Sequence, residues 1–404
     1  MLNIESNSSL FQKTTIANIN LKNKIFRAAT SETAASKFGD VTDKLIHFYE
    51  KIALGKPGLI FTGHMYIEPS GQYAPFQLGI TAKNDINKLR ELVRTVRSSD
   101  VPIVAELSHC GSQSMIKNLK TKAPSVLQNI IYGVQPAEMT EDQIWDVINN
   151  FGLSAGIAME AGFDGIHLHG GNGYLISQFS SPITNKREDK WGGSQENRDR
   201  FIIEVYKKVR KTIGYKIFLS ARVGIEDSQS DGLSIQEGVE RVKKLETLGL
   251  DTVEPTYNLM TTYKENIRPF AGITKFISLK SGIFLFDSFR LKSRPEGYYL
   301  KLLNELKNYG IKLPRILVGG VRSTDFMKEV LGKKNAEYFA LSRPFIREPD
   351  LTEKIRTGKI DRVDCVSCNM CFKHEGYHIS KCWRKDIISI VQHLVFSFYN
   401  KINN

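Results

Sequence analysis

Short apolar runs alternate along this chain with stretches in which apolar residues return every three or four positions. The runs at Lys24–Thr30, Gly58–His64, Ile103–His109, Gly162–Gly170, Lys216–Val223, Leu250–Pro255, Arg315–Val321 and Glu337–Ser342 have the length and flanking turn residues of strands. Asp85–Arg97, Asp142–Ala161, Arg198–Thr212, Ser234–Leu248 and Thr324–Val330 carry the spacing of helices with one buried face. Strands alternating with helices predict a parallel sheet joined by right-handed crossovers. Eight such units in 404 residues point to an α/β fold, the (β/α)8 TIM barrel, with chemistry on the loops that follow the strands. A doubly wound open sheet is the competing architecture. It should carry a glycine-rich turn after its first strand, whereas the first strand here runs into Ala28-Ala29-Thr30-Ser31-Glu32.

The pattern fades in two places. Thr256–Glu296 shows little periodicity and is expected to form a long loop on the active-site face after strand six. Beyond Arg384 the tail has a weak helical pattern of Ile387, Ile388, Val391, Leu394, Val395 and Phe398, expected to pack on its own domain or on a sister subunit, so a homo-oligomer is open. Apolar residues make up 41% and charged residues 25%, the balance of a globular protein. No run is long enough to span a bilayer and no leader pattern opens the chain, which leads to the expectation of a cytoplasmic protein. The net charge of +13 is spread along the chain rather than gathered in a block, so no nucleic-acid partner is expected.

The densest chemistry lies in G-F-D-G-I-H-L-H-G-G-N-G-Y-L-I-S-Q-F, where His169, Asn172 and Tyr174 leave the fourth strand together. A His and an Asn three apart can hold one oxyanion, and a nearby Tyr hydroxyl can deliver a proton. The segment continues as S-P-I-T-N-K-R-E-D-K-W-G-G-S-Q-E-N-R-D-R-F. With these motifs the sequence resembles the Old Yellow Enzyme family of FMN-dependent ene-reductases, the NADH:flavin oxidoreductases, although the family usually has Tyr where Trp191 stands. The resemblance implies that His169 and Asn172 bind the substrate carbonyl oxygen and that Tyr174 is the proton donor. Reduced flavin passes a hydride from N5 to the β-carbon of an activated alkene. Ser180–Arg200 is then structural, its Asn and Arg side chains tying loops together.

The same resemblance traces an FMN site. It sets Ala28, Ala29 and Thr30 against the flavin ring, Ser31 near flavin O4 and Arg222 opposite N1 and O2, where a cation favours the reduced anion. Gly319-Gly320 after strand seven and Ser342-Arg343 after strand eight fall where barrels bind phosphate. Glu106 departs from the family, which has Gln there. An amide can donate to flavin O2, but an ionised carboxylate only accepts. Glu106 is therefore expected to face N3–H alone, to be protonated or to sit elsewhere, with its pKa raised near a reduced flavin.

Four of the five cysteines read Cys365-V-S-Cys368-N-M-Cys371-x10-Cys382. Three thiols at this spacing with a fourth further on form a cluster-binding pattern, read as a [4Fe–4S] site, with zinc or unligated thiols as alternatives. Cys110 is expected to be a buried thiol beside the flavin strand. The position of the run after the eighth strand resembles the iron–sulfur branch of the family, 2,4-dienoyl-CoA reductase and trimethylamine dehydrogenase. Those proteins continue into further nucleotide-binding domains, and no such domain is expected in the short stretch after Cys382. The expected organisation is an FMN-binding barrel over 1–360 and an iron–sulfur loop with tail over 361–404. The resemblance implies reduction of an α,β-unsaturated carbonyl or thioester, with electrons supplied by an external donor: NAD(P)H, ferredoxin or a partner flavoprotein. An amine dehydrogenase sending electrons out through the cluster, or a non-catalytic electron-transfer subunit, is the alternative.

Overall fold

A computed structural model describes residues 9–116, 118–129, 131, 133–259, 271–272, 290–291 and 296–403. All eight expected strands form, several of them shorter than their apolar runs. They are β1 (Ile25–Arg27), β2 (Leu59–Phe61), β3 (Ile103–Ser108), β4 (Gly165–Gly170), β5 (Phe218–Glu226), β6 (Thr252–Tyr257), β7 (Ile316–Val318) and β8 (Tyr338–Leu341). Each pairs in parallel with its sequence neighbour from β1 through β6, and β8 sits between β1 and β7. A parallel bridge between Val253 and Arg315, with Val253 N–H donating to the Pro314 carbonyl at 3.1 Å, brings β6 against β7 and nearly closes the ring. The result is a TIM barrel.

Among the described residues each strand is followed by a main helix: α1 (Asp43–Leu54), α2 (Ile86–Arg97), α3 (Glu141–Ala161), α4 (Gln195–Ile213), α5 (Ile235–Thr247), α6 (Leu300–Asn308), α7 (Thr324–Gly332) and α8 (Leu351–Arg356), with short extra helices at Leu175–Ser180 and Arg343–Arg347. Side-chain caps start several of them: Thr42, Asp85, Ser194 and Ser323 each accept from a backbone N–H of the first turn, and Thr140 and Ser234 complete capping boxes. Three of these helices, α1, α6 and α8, are additions to the sequence reading. A small hairpin, Thr14–Ile16 with Ile19–Leu21, closes the bottom of the barrel.

Two apolar layers result. Leu45, Ile52, Leu92, Val147, Phe151, Phe201 and Val242 belong to the shell where helices pack on the sheet. Phe26, Phe61, Val104, Phe218, Ile316 and Tyr338 fill the lower interior against the hairpin. Side chains alternate along a strand, so the next inward position up from Val104 is Glu106, and those up from Phe218 are Ser220 and Arg222. The interior thus changes from apolar to charged within one pleat.

Ser180–Arg200 ties loops together as expected. Asn185 Nδ2 donates to the carbonyls of Phe179 and Trp191 at 2.8 and 2.7 Å, and Arg187 donates to the carbonyls of Pro124 and Met139. Trp191 is fully buried. The tail is a helix, α9 (Ile387–Asn403), with an unexpected orientation. Its Ser389 and His393 face inward, while Ile387, Ile388, Val391, Val395, Phe398 and Tyr399 are exposed; of the expected stripe Leu394 alone is partly covered, and Phe396 beside it stacks on His374. No helix among the described residues is long and apolar enough to cross a membrane. Most of the expected loop Thr256–Glu296 lies outside the described residues.

Candidate active site

Register explains how the charged layer meets. Arg222 on β5 pairs with His169 on β4 and with Glu254 on β6, while Glu106 on β3 pairs with His167 on β4. Adjacent strands thus hold Glu106, His169, Arg222 and Glu254 side by side at the barrel mouth. Glu106 Oε1 lies 2.8 Å from His169 Nδ1 and 3.6 Å from Arg222 Nη1, and Glu254 Oε1 accepts from Arg222 Nε at 2.6 Å. Both carboxyls are fully buried.

The protein groups around Glu106 set its charge before any flavin is considered. Burial is the largest influence and pushes the carboxyl up, but Arg222 and His169 together outweigh it and hold Glu106 well below the usual carboxylate range. Glu254 goes the other way, raised by burial against the pull of Arg222. Arg222 is held well above its ordinary value, because these two carboxyls overcome its burial. Neither cavity described below is lined by Glu106, which stands behind His169.

An ionised carboxylate can only accept, so the proton of neutral His169 sits on Nδ1 facing Glu106, and Nε2 carries the lone pair. That Nε2 is buried and has no protein partner among the described residues. Burial lowers the pKa of the ring, with Glu106 opposing. His64 and His167 are pushed down to about 3, first by burial. The Tyr174 ring stands edge-on to His169 with centroids 4.4 Å apart, and burial raises its phenol well above the ordinary value. Asn172, between them in sequence, adopts a left-handed φ of 61°, followed by Gly173 at 81°. This sharp turn lifts the chain off β4 and brings Asn172 and Tyr174 over the mouth.

Two adjoining cavities open here. One is lined by His64, Tyr73, His169, Asn172, Tyr174 and Glu375, together with Thr30, Ser31 and Arg343. The other runs from Asn172 and Arg222 to Gly319, Gly320, Arg322 and Ser342. Ala29, Asn172, Arg222, Ser342 and Arg343 border both. Ala28 is fully buried and lines neither. Gly319 and Gly320 have φ of 89° and 75°, and a Cβ on Gly319 would come within 2.5 Å of the Tyr298 ring. Thr30 Oγ1 donates to Ser342 Oγ at 2.7 Å, joining the first strand to the eighth. Two adjoining cavities, one bordered by the glycine turn and the Arg322 and Arg343 guanidiniums and the other by Thr30, Ser31, His169 and Tyr174, fit the phosphate and ring ends of an FMN molecule.

The cysteine loop forms part of the same region. Cys365, Cys368, Cys371 and Cys382 all line one small cavity beside Arg343. Ser367 and Asn369 take left-handed φ of 50° and 63°, which wraps the run around that cavity. No group of three or more His, Cys, Asp or Glu among the described residues is placed to hold a single metal ion. Arg322 Nη2 donates to the Cys365 carbonyl at 2.8 Å, and Arg343 donates to Asn369, so both guanidiniums of the groove also touch this loop. Cys110 is the expected buried thiol, packed with Tyr73, Ala74 and Tyr174.

Several residues of the site were not singled out from sequence: His64, Tyr73, Phe372 and Glu375 line the cavity, and Glu254 pairs with Arg222. Glu254 could have been found, since V-E-P-T-Y is a strand with a lone carboxyl on its inward parity. Glu375 gave no signal, because its ten-residue segment between cysteines has no periodicity.

Comparison with known proteins gives this geometry its context. The profile of the "NADH:flavin oxidoreductase / NADH oxidase family" matches residues 9–278. An NADH oxidase of Thermoanaerobacter brockii is 29% identical over 90% of the chain and 53% of its own length. An NADPH dehydrogenase of Clostridium acetobutylicum is 29% identical over 84% of the chain and 92% of its own length. Among solved structures, 2-naphthoyl-CoA reductase in complex with 2-naphthoyl-CoA superposes with a TM-score of 0.81 at 24% identity, covering 93% of this chain and 57% of that one. The old yellow enzyme homologue from Zymomonas mobilis gives 0.71 at 21% identity, covering 89% and 95%. The chain thus spans about half the length of two of these proteins and most of the other two.

Proposed function

Because the chain belongs to the NADH:flavin oxidoreductase / NADH oxidase family and is an FMN-dependent oxidoreductase, we propose that it reduces the C=C bond of an α,β-unsaturated carbonyl compound or thioester. The observation that carries this reading is the buried, unpartnered His169 Nε2 beside Asn172 and edge-on to Tyr174. When bound, FMN supplies hydride transfer and accepts electrons from NAD(P)H or another external donor. Gly319, Gly320, Arg322, Ser342 and Arg343 would hold its phosphate. Ala29, Thr30, Ser31 and Arg222 would border its ring, with Ala28 behind.

His169 and Asn172 receive the substrate carbonyl oxygen. The Asn172 amide donates in any protonation state, whereas His169 Nε2 donates only once the ring holds a second proton. Glu106 on Nδ1 and developing negative charge at Nε2 both favour that imidazolium, so the buried pair acts as an oxyanion site whose strength grows with the charge it meets. Tyr174 keeps its proton because its phenol pKa is raised, and it delivers that proton from Oη to the substrate α-carbon. The two carboxyls around Arg222 offset its charge, which would set the flavin potential lower than a free guanidinium would.

Cys365, Cys368, Cys371 and Cys382 would hold a [4Fe–4S] cluster. Four thiols line one cavity, and three of them at x2 spacing with a fourth further on is the pattern of a cluster site rather than of two separated zinc-binding pairs. The loop borders both flavin-site cavities, which supports a role in relaying single electrons.

Anaerobic incubation with NAD(P)H and cinnamaldehyde in deuterated water tests the reaction. The expected product is the saturated aldehyde with one solvent deuteron at the α-carbon. Unchanged aldehyde from FMN-loaded protein would overturn the reading. One observation favours a second reading, oxidation of an amine: neutral His169 presents an acceptor to the pocket. In that case a benzylic amine, and not the enal, would turn over with an electron-accepting dye.

A further inference from the structure

The ten residues between Cys371 and Cys382 do more than space two thiols. Ser380 N–H donates to the Glu32 carbonyl at 2.8 Å, and Thr33 Oγ1 donates to the His378 carbonyl. These bonds staple the segment to the chain leaving β1. Gly376, at φ of 80°, lies close to Pro75 in the loop after β2 and to Met115 in the loop after β3. Fastened on both sides, Phe372 and Glu375 become a wall of the cavity that also holds His169 and Tyr174.

Glu375 is the charged element of that wall. Its Oε2 lies 3.4 Å from the Tyr73 hydroxyl, at the weak end of the hydrogen-bond range. The buried Ser31 hydroxyl is the other donor close to it. Among the described residues no cation pairs with Glu375; burial raises its carboxyl to about 7, opposed by the Ser31 and Tyr73 hydroxyls and helped by the nearby Glu32 charge. A buried carboxyl that shares its cavity with the rings of His64, Tyr73 and Tyr174 and has only hydroxyl donors lacks the charged partner that such a group ordinarily has.

We propose that Glu375 is a specificity-determining residue: it selects ligands that carry a hydroxyl or ammonium group on the side away from the atom held at His169 and Asn172, and it disfavours carboxylates. The inference rests on the reading of this cavity as the substrate site. An ammonium would meet the carboxylate and the faces of the aromatic rings together, and a hydroxyl would make a charge-assisted hydrogen bond. A carboxylate there would meet a like charge.

A matched series of cinnamaldehydes bearing 4-dimethylaminomethyl, 4-hydroxymethyl, 4-methyl and 4-carboxyl groups tests it on the FMN-loaded protein. Dissociation constants come from perturbation of the flavin absorbance, and kcat/KM values from turnover. Wild-type protein is expected to bind the ammonium compound about tenfold tighter than the methyl compound, and the carboxylate more weakly than either. Glu375→Gln should bring the ammonium-to-methyl ratio to within about twofold, and Glu375→Lys should reverse the order in favour of the carboxylate. The same ranking in all three proteins, or no ligand held by any, would overturn the inference. Ligands that bind in the expected order without being reduced would leave it standing and overturn the assigned reaction instead.

Discussion

The strand-borne half of the site and the cysteine loop solve the same problem, holding polar groups out of water, by opposite means. Glu106, His169, Arg222 and Glu254 sit on four adjacent strands, and the register sets their distances before any side chain is chosen. The cysteine run has only one short 3-10 turn, and it uses two left-handed residues and contacts from Arg322 and Arg343 to keep its shape. A sheet fixes geometry and leaves charge to be balanced. A loop fixes neither, and depends on what binds it and what it touches. Substitutions in the first region should therefore change electrostatics, and those in the second should change occupancy.

The largest expected effect is on the loop. Cys368→Ser should lower iron from about four per chain to less than one while FMN is retained, as read by metal and flavin analysis. If iron is unchanged, the cysteine run is not the cluster site. Next comes the groove between the regions. Gly319→Ala forces a side chain into a left-handed position against the Tyr298 ring, a strain of about 1–3 kcal/mol. FMN affinity should fall tenfold or more in a fluorescence titration, and unaltered affinity would remove the glycine turn from the phosphate site.

On the strands, Glu106→Gln keeps a hydrogen-bonding partner for His169 but removes a negative charge beside Arg222. The flavin midpoint potential should rise, by about 30 mV for each 1.4 kcal/mol of two-electron stabilisation, in spectroelectrochemical titration. A fall in potential would reverse the sign assigned to the carboxylate.

The smallest effect lies in the loop after β2. Glu68 is held at about 2: burial pushes it up, but His109, Ser70 and Asn150 more than offset that. Because its folded pKa lies below the unfolded value, its stabilisation is complete above the unfolded pKa and disappears as pH falls toward 2. Glu68→Gln should remove about 1–2 kcal/mol at neutral pH and flatten the acid limb of a denaturation curve. A parallel curve of equal height would show the pairing to be neutral.

The two regions also differ in how far they could be read from sequence. Buried parallel strands leave apolar runs, so all eight were legible, and with them the mouth carrying His169, Asn172 and Tyr174. Helix α1 leaves a comparable signal, with Leu45, Tyr49 and Ile52 at helical spacing behind Thr42. Helix α8 is too short to show a period. The consequence of Glu106 needed the structure, because only the pairing of β3 with β4 and β4 with β5 shows that it faces His169 and Arg222 rather than standing alone. Nothing local to Glu375 marks it, since its place in the cavity comes from bonds to the chain after β1. The tail helix has a legible apolar stripe, but its orientation, with His393 inward against His374, is a tertiary choice.

The central claim is that a carbonyl held at His169 and Asn172 is reduced with a proton from Tyr174. The most direct measurement is a single turnover: anaerobically reduced protein is mixed with cinnamaldehyde and reoxidation of the flavin is followed by absorbance in wild-type and Tyr174→Phe proteins. The account predicts saturable reoxidation by wild type and a rate lower by about a hundredfold or more in the variant, with FMN content unchanged. Equal rates in the two proteins, or no reoxidation of the wild type, would contradict it.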